Sequence, residues 1–254
     1  MATLKSPANS SAAGRFRLDH VAFGLARVED SAAVLAGELG GRPFVGGPGI
    51  GFSGIQWQFA RGELIEVIQP EGDPTGFLYR FLERRGPGLH HVTFKVDDIE
   101  WAAARAREFG YQVVGLRTDN PGWKELFLHP RQAGGIVVQI AESHPELDVA
   151  PWTPDWPFPA AERKAPAAAE IRHLRLAVAE RAAAERQWGA CLSGRAREQD
   201  GTIVFSWPDS PIGIRIVVTR EAPQGPLGLE VRAPWAGRQG TAASALGTQL
   251  IWID

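Results

Sequence analysis

Two histidines occupy corresponding positions in two similar stretches of the chain. His20 lies in LDHVAFGLARVEDSAAVLAGELGG, which begins at Leu18, and His91 lies in LHHVTFKVDDIEWAAARAREFGY, which begins at Leu89. Each stretch opens with alternating apolar residues, typical of a strand, and continues into an alanine-rich segment, typical of a helix. The second helix is predicted to start near Asp97 or Asp98 and to end near Gly110. The chain therefore contains an internal repeat.

An oxygen donor follows each histidine at nearly the same separation. Glu66 lies in the apolar run ELIEVIQP and Gln139 lies in GGIVVQIAE. An unpaired carboxylate is costly to bury among apolar residues, and an amide carries a milder form of the same cost. Two imidazoles, a carboxylate and an amide oxygen would all be satisfied around a divalent cation. We predict that His20, Glu66, His91 and Gln139 are metal ligands. The alternative is that Glu66 and Gln139 lie on two edge strands and face water.

His90 precedes the repeated histidine and has Asp19 as its counterpart in the first stretch. Successive side chains on a regular strand point to opposite faces of the sheet. We therefore expect His90 to face away from His91 and to be dispensable for metal binding.

The remaining segments complete each repeat. GIQWQFA and ELIEVIQP follow the first helix, and KELFLHP and GGIVVQIAE follow the second. Each unit thus reads as a strand, a helix and two or three further strands, and the two units cover residues 16–142. Residues 1–15 are predicted to be a disordered tail, and residues 143–169, rich in Pro, Ala and Trp, are predicted to be a linker. The aromatic residues of this linker are expected to pack along the first half, with a position over the mouth of the site as an alternative.

Residues 170–254 repeat the strand and helix pattern in a weaker form. His173 stands in the place of His20, whereas Arg215 or an apolar neighbour stands in the place of Glu66. No histidine corresponds to His91. We interpret this half as a degenerate pair of modules that supports the fold or an oligomer interface, and we expect it to bind no metal.

Bulk composition excludes several classes of function. The formal net charge of −2 provides no basic excess for nucleic acid or for an anionic membrane, and no apolar run is long enough to span a bilayer. The single cysteine, Cys191, cannot form an internal disulfide, which favours a cytoplasmic protein. The expected partner is a small-molecule substrate, and a homodimer remains open.

The motifs LDHVAF, LIEVIQP, FLERRGPGLHHVTFKVDDI and LFLHPRQAGGIVVQIAE resemble the vicinal-oxygen-chelate superfamily, within it methylmalonyl-CoA epimerase and its glyoxalase-like relatives. The resemblance implies an α+β fold in which paired βαβββ modules form a cup-shaped sheet around a metal over residues 16–142. It also places the family's histidine ligands at His20 and His91 and its oxygen ligands at Glu66 and Gln139. The epimerases typically carry a catalytic Glu where this chain has Gln139.

The predicted function is that of a divalent-metal-dependent isomerase or lyase acting on a small carbonyl or acyl substrate through an enolate. The predicted catalytic base is Glu66, with a metal-bound hydroxide as the alternative and Lys124, Glu125 and His129 as weaker candidates. Lys124 is instead a candidate contact for an anionic substrate group. The metal is Mn, Co, Ni, Zn, Fe or Mg. A non-haem dioxygenase, which also uses two histidines and a carboxylate, and a non-catalytic small-molecule binder are the alternatives.

Overall fold

A computed structural model of the chain describes residues 16–237 and 240–254, so the predicted tail at residues 1–15 lies outside the described residues. The strands of the first sheet are β1 (Arg17–Gly24), β2 (Arg42–Gly49), β3 (Phe52–Gln58), β4 (Leu64–Pro70), β5 (Gly88–Val96), β6 (Val113–Arg117), β7 (Trp123–Leu128) and β8 (Val137–Ser143). In this described part of the chain the eight strands lie side by side in the order β2-β3-β4-β1-β5-β8-β7-β6.

Two βαβββ modules build this sheet. In the first, β1 pairs in parallel with β4 after a helical segment made of a 3-10 turn, Val28–Ser31, and π-helical turns, Ala33–Glu38. In the second, β5 pairs in parallel with β8 after helix α2 (Ile99–Glu108). The first strands of the two modules, β1 and β5, pair antiparallel and join the halves of the sheet. The predicted paired modules are confirmed.

Helix α2 begins where its capping residue predicts. The Asp98 carboxylate accepts a hydrogen bond from the Trp101 backbone N–H at 2.9 Å, and Gly110 follows the helix with a positive φ of 77°. A further helix, α1 (Phe77–Arg85), joins β4 to β5 and was not predicted from the sequence.

The sheet has two different faces. One, here called the site face, carries the candidate ligands His20, Glu66, His91 and Gln139. The opposite face, here called the helix face, carries fully buried apolar residues such as Val21 and Phe94. The Phe94 ring packs against Trp207 of the second half with 4.9 Å between ring centroids. The two halves therefore share one hydrophobic core.

The second half repeats the architecture in shortened form. Its strands are β9 (Glu170–Val178), β10 (Arg195–Gln199), β11 (Thr202–Ser206), β12 (Gly213–Val218), β13 (Gly225–Arg232), β14 (Gly240–Ala243) and β15 (Gln249–Ile253), and helix α3 (Arg181–Ala184) continues as the π-helical turns Glu185–Cys191. A 3-10 turn, Pro145–Leu147, follows β8, and another, Pro234–Ala236, follows β13. Among the described residues, the sheet order is β10-β11-β12-β9-β13-β15-β14, and the last module has three strands. The predicted degenerate second pair is confirmed.

The segment between the sheets is held against the first half. Thr153 forms a pair of backbone hydrogen bonds with Gly46 at the edge strand β2. The Phe158 ring contacts Trp57, with centroids 5.2 Å apart, and Trp156 packs against the core. Trp152 lies on the site face, where a Cβ on Gly54 would come within 2.6 Å of it. Trp156 and Phe158 thus pack along the first half, and Trp152 lies against glycines of β2 and β3.

Across residues 16–237 and 240–254, none of the helices combines the length and the hydropathy that crossing a membrane requires.

Candidate metal centre

A β-bulge precedes each of the two repeated histidines. Asp19 is the extra residue where β1 pairs with β5, and His90 is the extra residue on β5 itself. A bulge breaks the strict alternation of side chains and re-aims the residues beside it. The expectation that His90 faces away from His91 is therefore wrong, because the bulge brings the two rings together.

The histidines meet Glu66 on the site face. His20 Nε2 lies 3.1 Å from Glu66 Oε2, and His91 Nε2 lies 3.8 Å from Glu66 Oε1. One ligand atom from each of the three side chains lies within 4.8 Å of the other two. All three side chains are buried, with His20 only 1% exposed. The structure thus brings three of the four predicted ligands together as one compact group.

The other nitrogen of each imidazole is held by the bulge residue. His20 Nδ1 lies 2.8 Å from Asp19 Oδ2, and His91 Nδ1 lies 2.8 Å from His90 Nδ1. For His20, the carboxylate requires a proton on Nδ1, which leaves Nε2 with its lone pair in the neutral ring. For His91, the same tautomer results if His90 Nδ1 is the acceptor. Partners of this kind fix the ring orientation of metal-binding histidines.

The Nε2 atoms of His20 and His91 are buried and have no hydrogen-bond partner among the described residues. Buried polar atoms are otherwise nearly always satisfied, so two converging orphans beside a carboxylate need a further partner. Two nitrogen donors and one carboxylate form a donor set that suits Zn, Fe, Co, Ni or Mn. The residues therefore fit a divalent cation.

Electrostatics keep Glu66 ionised. Burial opposes its charge, but His20, His91 and a 2.8 Å hydrogen bond from Gln56 outweigh burial and lower the pKa of Glu66 to about 2. Burial also opposes a charge on His20, yet Glu66 and Asp19 raise the His20 pKa to about 9. Burial, with His90 as a further cause, holds the pKa of His91 well below its usual range. The opposite shifts of the two pKa values reflect the attraction between His20 and Glu66, whose Nε2 and Oε2 atoms lie 3.1 Å apart.

Gln139, the fourth predicted ligand, borders this group in a network of its own. Its Oε1 accepts a hydrogen bond from Thr93 Oγ1 at 2.6 Å, and its Nε2 donates to Glu125 Oε2 at 2.7 Å. Gln139 also lies close enough to His91 to favour the charged form of that ring. The Gln139 oxygen could therefore bind a cation only by giving up the hydrogen bond from Thr93 or by accepting it at the same time.

Glu125 is a second buried carboxylate on the site face. Besides Gln139, Trp123 Nε1 donates to it at 3.0 Å, and Arg117 forms an ion pair with it. It is only 4% exposed. The chain thus has a buried carboxylate on β7, one strand away from the amide of Gln139 on β8.

Two other residues singled out from the sequence lie elsewhere. Lys124 points to the helix face, where its Nζ pairs with Glu142 Oε1 at 2.6 Å, so the predicted substrate contact at Lys124 is not supported. The reason is strand alternation, since Trp123 and Glu125 on either side occupy the site face. His129 lies in the turn after β7, where its Nδ1 accepts a hydrogen bond from the Arg131 backbone at 3.2 Å.

Lys95 is a site-face residue that sequence reasoning missed. It follows His91 and Thr93 at alternate positions on β5, and its Nζ lies 3.7 Å from the centroid of the Trp123 ring. The alternation itself was the available signal, because residues 91, 93 and 95 of one strand share a face.

The second half carries different residues at the four equivalent positions. Bulges recur at Arg172 on β9 and at Leu227 on β13, and strand register then aligns the positions. The candidate ligands His20, Glu66, His91 and Gln139 correspond in order to His173, Arg215, Gly228 and Ile251. Arg215 Nε lies 2.8 Å from Glu230 Oε1, and His173 Nδ1 lies 2.8 Å from Glu230 Oε2. A guanidinium and a carboxylate thus occupy this half's counterpart of the metal centre.

Comparison with known proteins agrees with this architecture. A family model described as Glyoxalase/Bleomycin resistance protein/Dioxygenase superfamily matches residues 19–127. The ethylmalonyl-CoA/methylmalonyl-CoA epimerase of Cereibacter sphaeroides is 32% identical over 136 residues, which is 50% of this chain and 97% of that protein. The mitochondrial methylmalonyl-CoA epimerase of Bos taurus is 26% identical over 135 residues, covering 50% of this chain and 74% of the relative.

Two solved structures resemble both halves together. A hypothetical protein from Staphylococcus aureus superimposes with a TM-score of 0.61 at 11% identity, over 94% of this chain and 98% of that one. A mutant of 4-hydroxymandelate synthase from Streptomyces coelicolor superimposes with a TM-score of 0.60 at 15% identity, over 86% of this chain and 71% of that one. These two likenesses concern the fold alone. The match to the epimerase of Cereibacter sphaeroides, together with the family model, shows that the chain belongs to the glyoxalase/bleomycin resistance protein/dioxygenase superfamily, the vicinal-oxygen-chelate proteins.

Proposed function

We propose that the first half is a divalent-metal-dependent isomerase or lyase that removes a proton beside the carbonyl of a small acyl or carbonyl substrate. The observation that carries the proposal is the buried group of His20, Glu66 and His91, in which both Nε2 atoms lack a hydrogen-bond partner among the described residues. His20, His91 and Glu66 would hold the metal, with Gln139 as a further ligand. When bound, the cation supplies Lewis-acid stabilisation of the charge that develops on the substrate carbonyl oxygen.

Glu66 is the proton acceptor in this proposal. Its Oε2 is engaged by Gln56, whereas its Oε1 accepts no hydrogen bond from the described residues. Oε1 is therefore the atom that takes the substrate proton and returns it. The low pKa of Glu66 keeps the carboxylate ionised at neutral pH. Asp19 and His90 hold the two imidazoles in place while the proton moves.

The relatives support this class of substrate. The matched proteins from Cereibacter sphaeroides and Bos taurus are named as epimerases of ethylmalonyl-CoA or methylmalonyl-CoA, and such reactions exchange a proton beside an acyl carbonyl. Gln139 is an amide and cannot accept a proton as a carboxylate does. Glu66 is therefore the one carboxylate among the four candidate ligands. The proposed active domain is residues 16–142. Residues 143–169 connect it to residues 170–254, which support the fold, in a cytoplasmic protein.

Hydrogen exchange into the substrate tests the proposal. Purified protein is assayed for metal content and then for deuterium incorporation from D₂O into methylmalonyl-CoA and into a hemithioacetal. We expect Glu66→Gln to lower exchange by about 10²–10⁴-fold, which is the usual contribution of a positioned acid–base group. Glu71→Gln, which changes an exposed carboxylate beyond β4, is the matched control. Exchange in Glu66→Gln at the wild-type rate would remove Glu66 from this role.

An oxygenase is the second candidate, and one observation favours it. Thr93 and Glu125 both form hydrogen bonds with the side chain of Gln139. Without Gln139, the candidate metal ligands are two histidines and one carboxylate, which is the set used by non-haem Fe(II) oxygenases. Iron-loaded protein should then consume oxygen with an aromatic or 2-oxo acid substrate. Oxygen consumption without deuterium exchange would favour this candidate over the isomerase or lyase.

A further inference from the structure

Lys95 is the lysine that the fold directs to the site face. The other described lysines lie elsewhere, Lys124 in an ion pair on the helix face and Lys164 on the segment between the sheets. Lys95 occupies the same face of β5 as His91 and Thr93. Since a strand rises roughly 3.3 Å per residue, the Cα atoms of residues 91 and 95 are separated by roughly 13 Å along the sheet.

The ammonium of Lys95 rests on an aromatic ring and not on a carboxylate. Its Nζ lies 3.7 Å from the centroid of Trp123, and within residues 16–237 and 240–254 it forms no ion pair. A lysine has three hydrogen-bond donors, and a ring face satisfies them only in part. The half-buried cation therefore retains donors for a further partner.

The nearby carboxylates are already occupied. Asp19 and Glu66 both act electrostatically on Lys95, as does Glu125, and Arg17 acts with the opposite sign. Asp19 is bonded to His20, Glu66 faces the two histidines and Gln56, and Glu125 is bonded to Trp123, Gln139 and Arg117. None of these acids is available to pair with Lys95 at close range.

We propose that Lys95 binds a carboxylate carried by the substrate, at the end opposite to the oxygens that reach the metal centre. This inference rests on the proposed function, and it assigns the substrate to small acids with a second, distal anionic group. The Trp123 ring lies under the Lys95 ammonium on the site face, and Ala141, the register partner of Lys95 on β8, has only a methyl side chain. In this proposal Lys95, and not Lys124, is the lysine that contacts an anionic group of the substrate.

Two keto acids test the inference, because they differ only in the tail. 2-Oxoglutarate and 2-oxohexanoate share the same chelating 2-oxo acid, and only the first ends in a carboxylate. Their dissociation constants are measured on cobalt-loaded protein from the visible absorption of Co²⁺. We expect 2-oxoglutarate to bind the wild type about 10- to 100-fold more tightly, as one hydrogen bond to a charged group would give. Lys95→Met should bring this ratio close to one, and Lys95→Arg should largely preserve it.

Lys124→Met is the matched control, since it removes a lysine from the other face and should leave the ratio unchanged. Circular dichroism and cobalt content check that each variant is folded and loaded. A ratio near one in the wild type, or an equal ratio in wild type and Lys95→Met, would overturn the inference while leaving the metal centre intact. Protein that binds no cobalt would instead overturn the proposed function, and the inference with it.

Discussion

The Nδ1 atoms of His90 and His91 lie 2.8 Å apart, although the two residues are neighbours on one strand. A regular strand would separate these rings by the thickness of the sheet, and the bulge at His90 removes that separation. His90 is therefore the second-module counterpart of Asp19, and each of them holds the imidazole that follows it.

Replacing His90 with Ala should weaken metal binding without abolishing it. Loss of the partner frees the His91 ring to rotate and to change tautomer, and such partners are typically worth 10–100-fold in metal affinity. Competition titration with a chromophoric chelator measures this change. His129→Ala, at an exposed turn, should bind as the wild type does. If His90→Ala binds metal with undiminished affinity, the ring of His91 does not depend on His90.

The two candidate ligand histidines should be far more important for metal retention than their counterpart in the second half. His20→Ala and His91→Ala each remove a buried donor and should leave protein that loses its metal on dialysis. His173→Ala alters the equivalent position beside Glu230 and should retain about the wild-type metal content. Elemental analysis after dialysis gives the comparison. Equal metal content in all three variants would contradict the assignment of the first half as the metal-binding half.

Gln139→Glu should destabilise the metal-free protein because of Glu125. The Gln139 amide donates to Glu125 Oε2 at 2.7 Å, so the substitution would place two buried carboxylates in contact. The double variant Gln139→Glu with Glu125→Gln restores a donor and an acceptor and should recover stability. We expect a coupling of about 0.5–3 kcal/mol in a double-mutant cycle by urea unfolding in EDTA. Additive effects of the two substitutions would show that the hydrogen bond is not the cause.

Glu230 should make the stability of the protein dependent on acid pH. Burial opposes its charge, but His173 and Arg215 outweigh burial and lower the pKa of Glu230 below its ordinary value. A lowered pKa stabilises the fold fully above the ordinary Glu pKa of about 4.3, and this contribution is lost as pH falls toward the folded-state pKa. Urea unfolding of wild type and Glu230→Gln from about pH 6 downward measures it. Glu221→Gln, an exposed substitution, should follow the wild type at every pH, and identical pH profiles for Glu230→Gln would contradict the prediction.

The repeat in the sequence was sufficient to predict the two modules and the proximity of three candidate ligands. His20 and His91 recur in matching strands, and matching strands must pair in matching ways around a shared axis. The bulges at Asp19 and His90 could not be predicted, because an extra residue in a ladder becomes visible only when both strands are aligned. The engagement of Gln139 by Thr93 and Glu125 likewise depends on side chains from three strands.

Lys95 and Lys124 differ in how far the sequence could predict the face of the sheet on which each lies. The position of Lys95 follows from His91 by simple alternation, so the information was present in the sequence. The face of Lys124 could not be predicted, because alternation on β7 has no anchor until the register between β7 and β8 is known. That register pairs Lys124 with Glu142. Helix α1 has mixed apolar and charged residues without a capping side chain, which left it without a start signal.

Arg215 occupies in the second half the position that Glu66 occupies in the first half. The two halves therefore place different charges on the same arrangement of strands. In the second half the positive charge at this point is covalently attached and cannot be removed by a chelator. In the first half the equivalent charge would have to come from solution. Amide exchange near β12 should therefore be indifferent to EDTA, whereas exchange near β4 should accelerate. The C-terminal repeat thus serves as a built-in reference, against which the stabilisation of its N-terminal counterpart by a dissociable ion can be measured within a single spectrum.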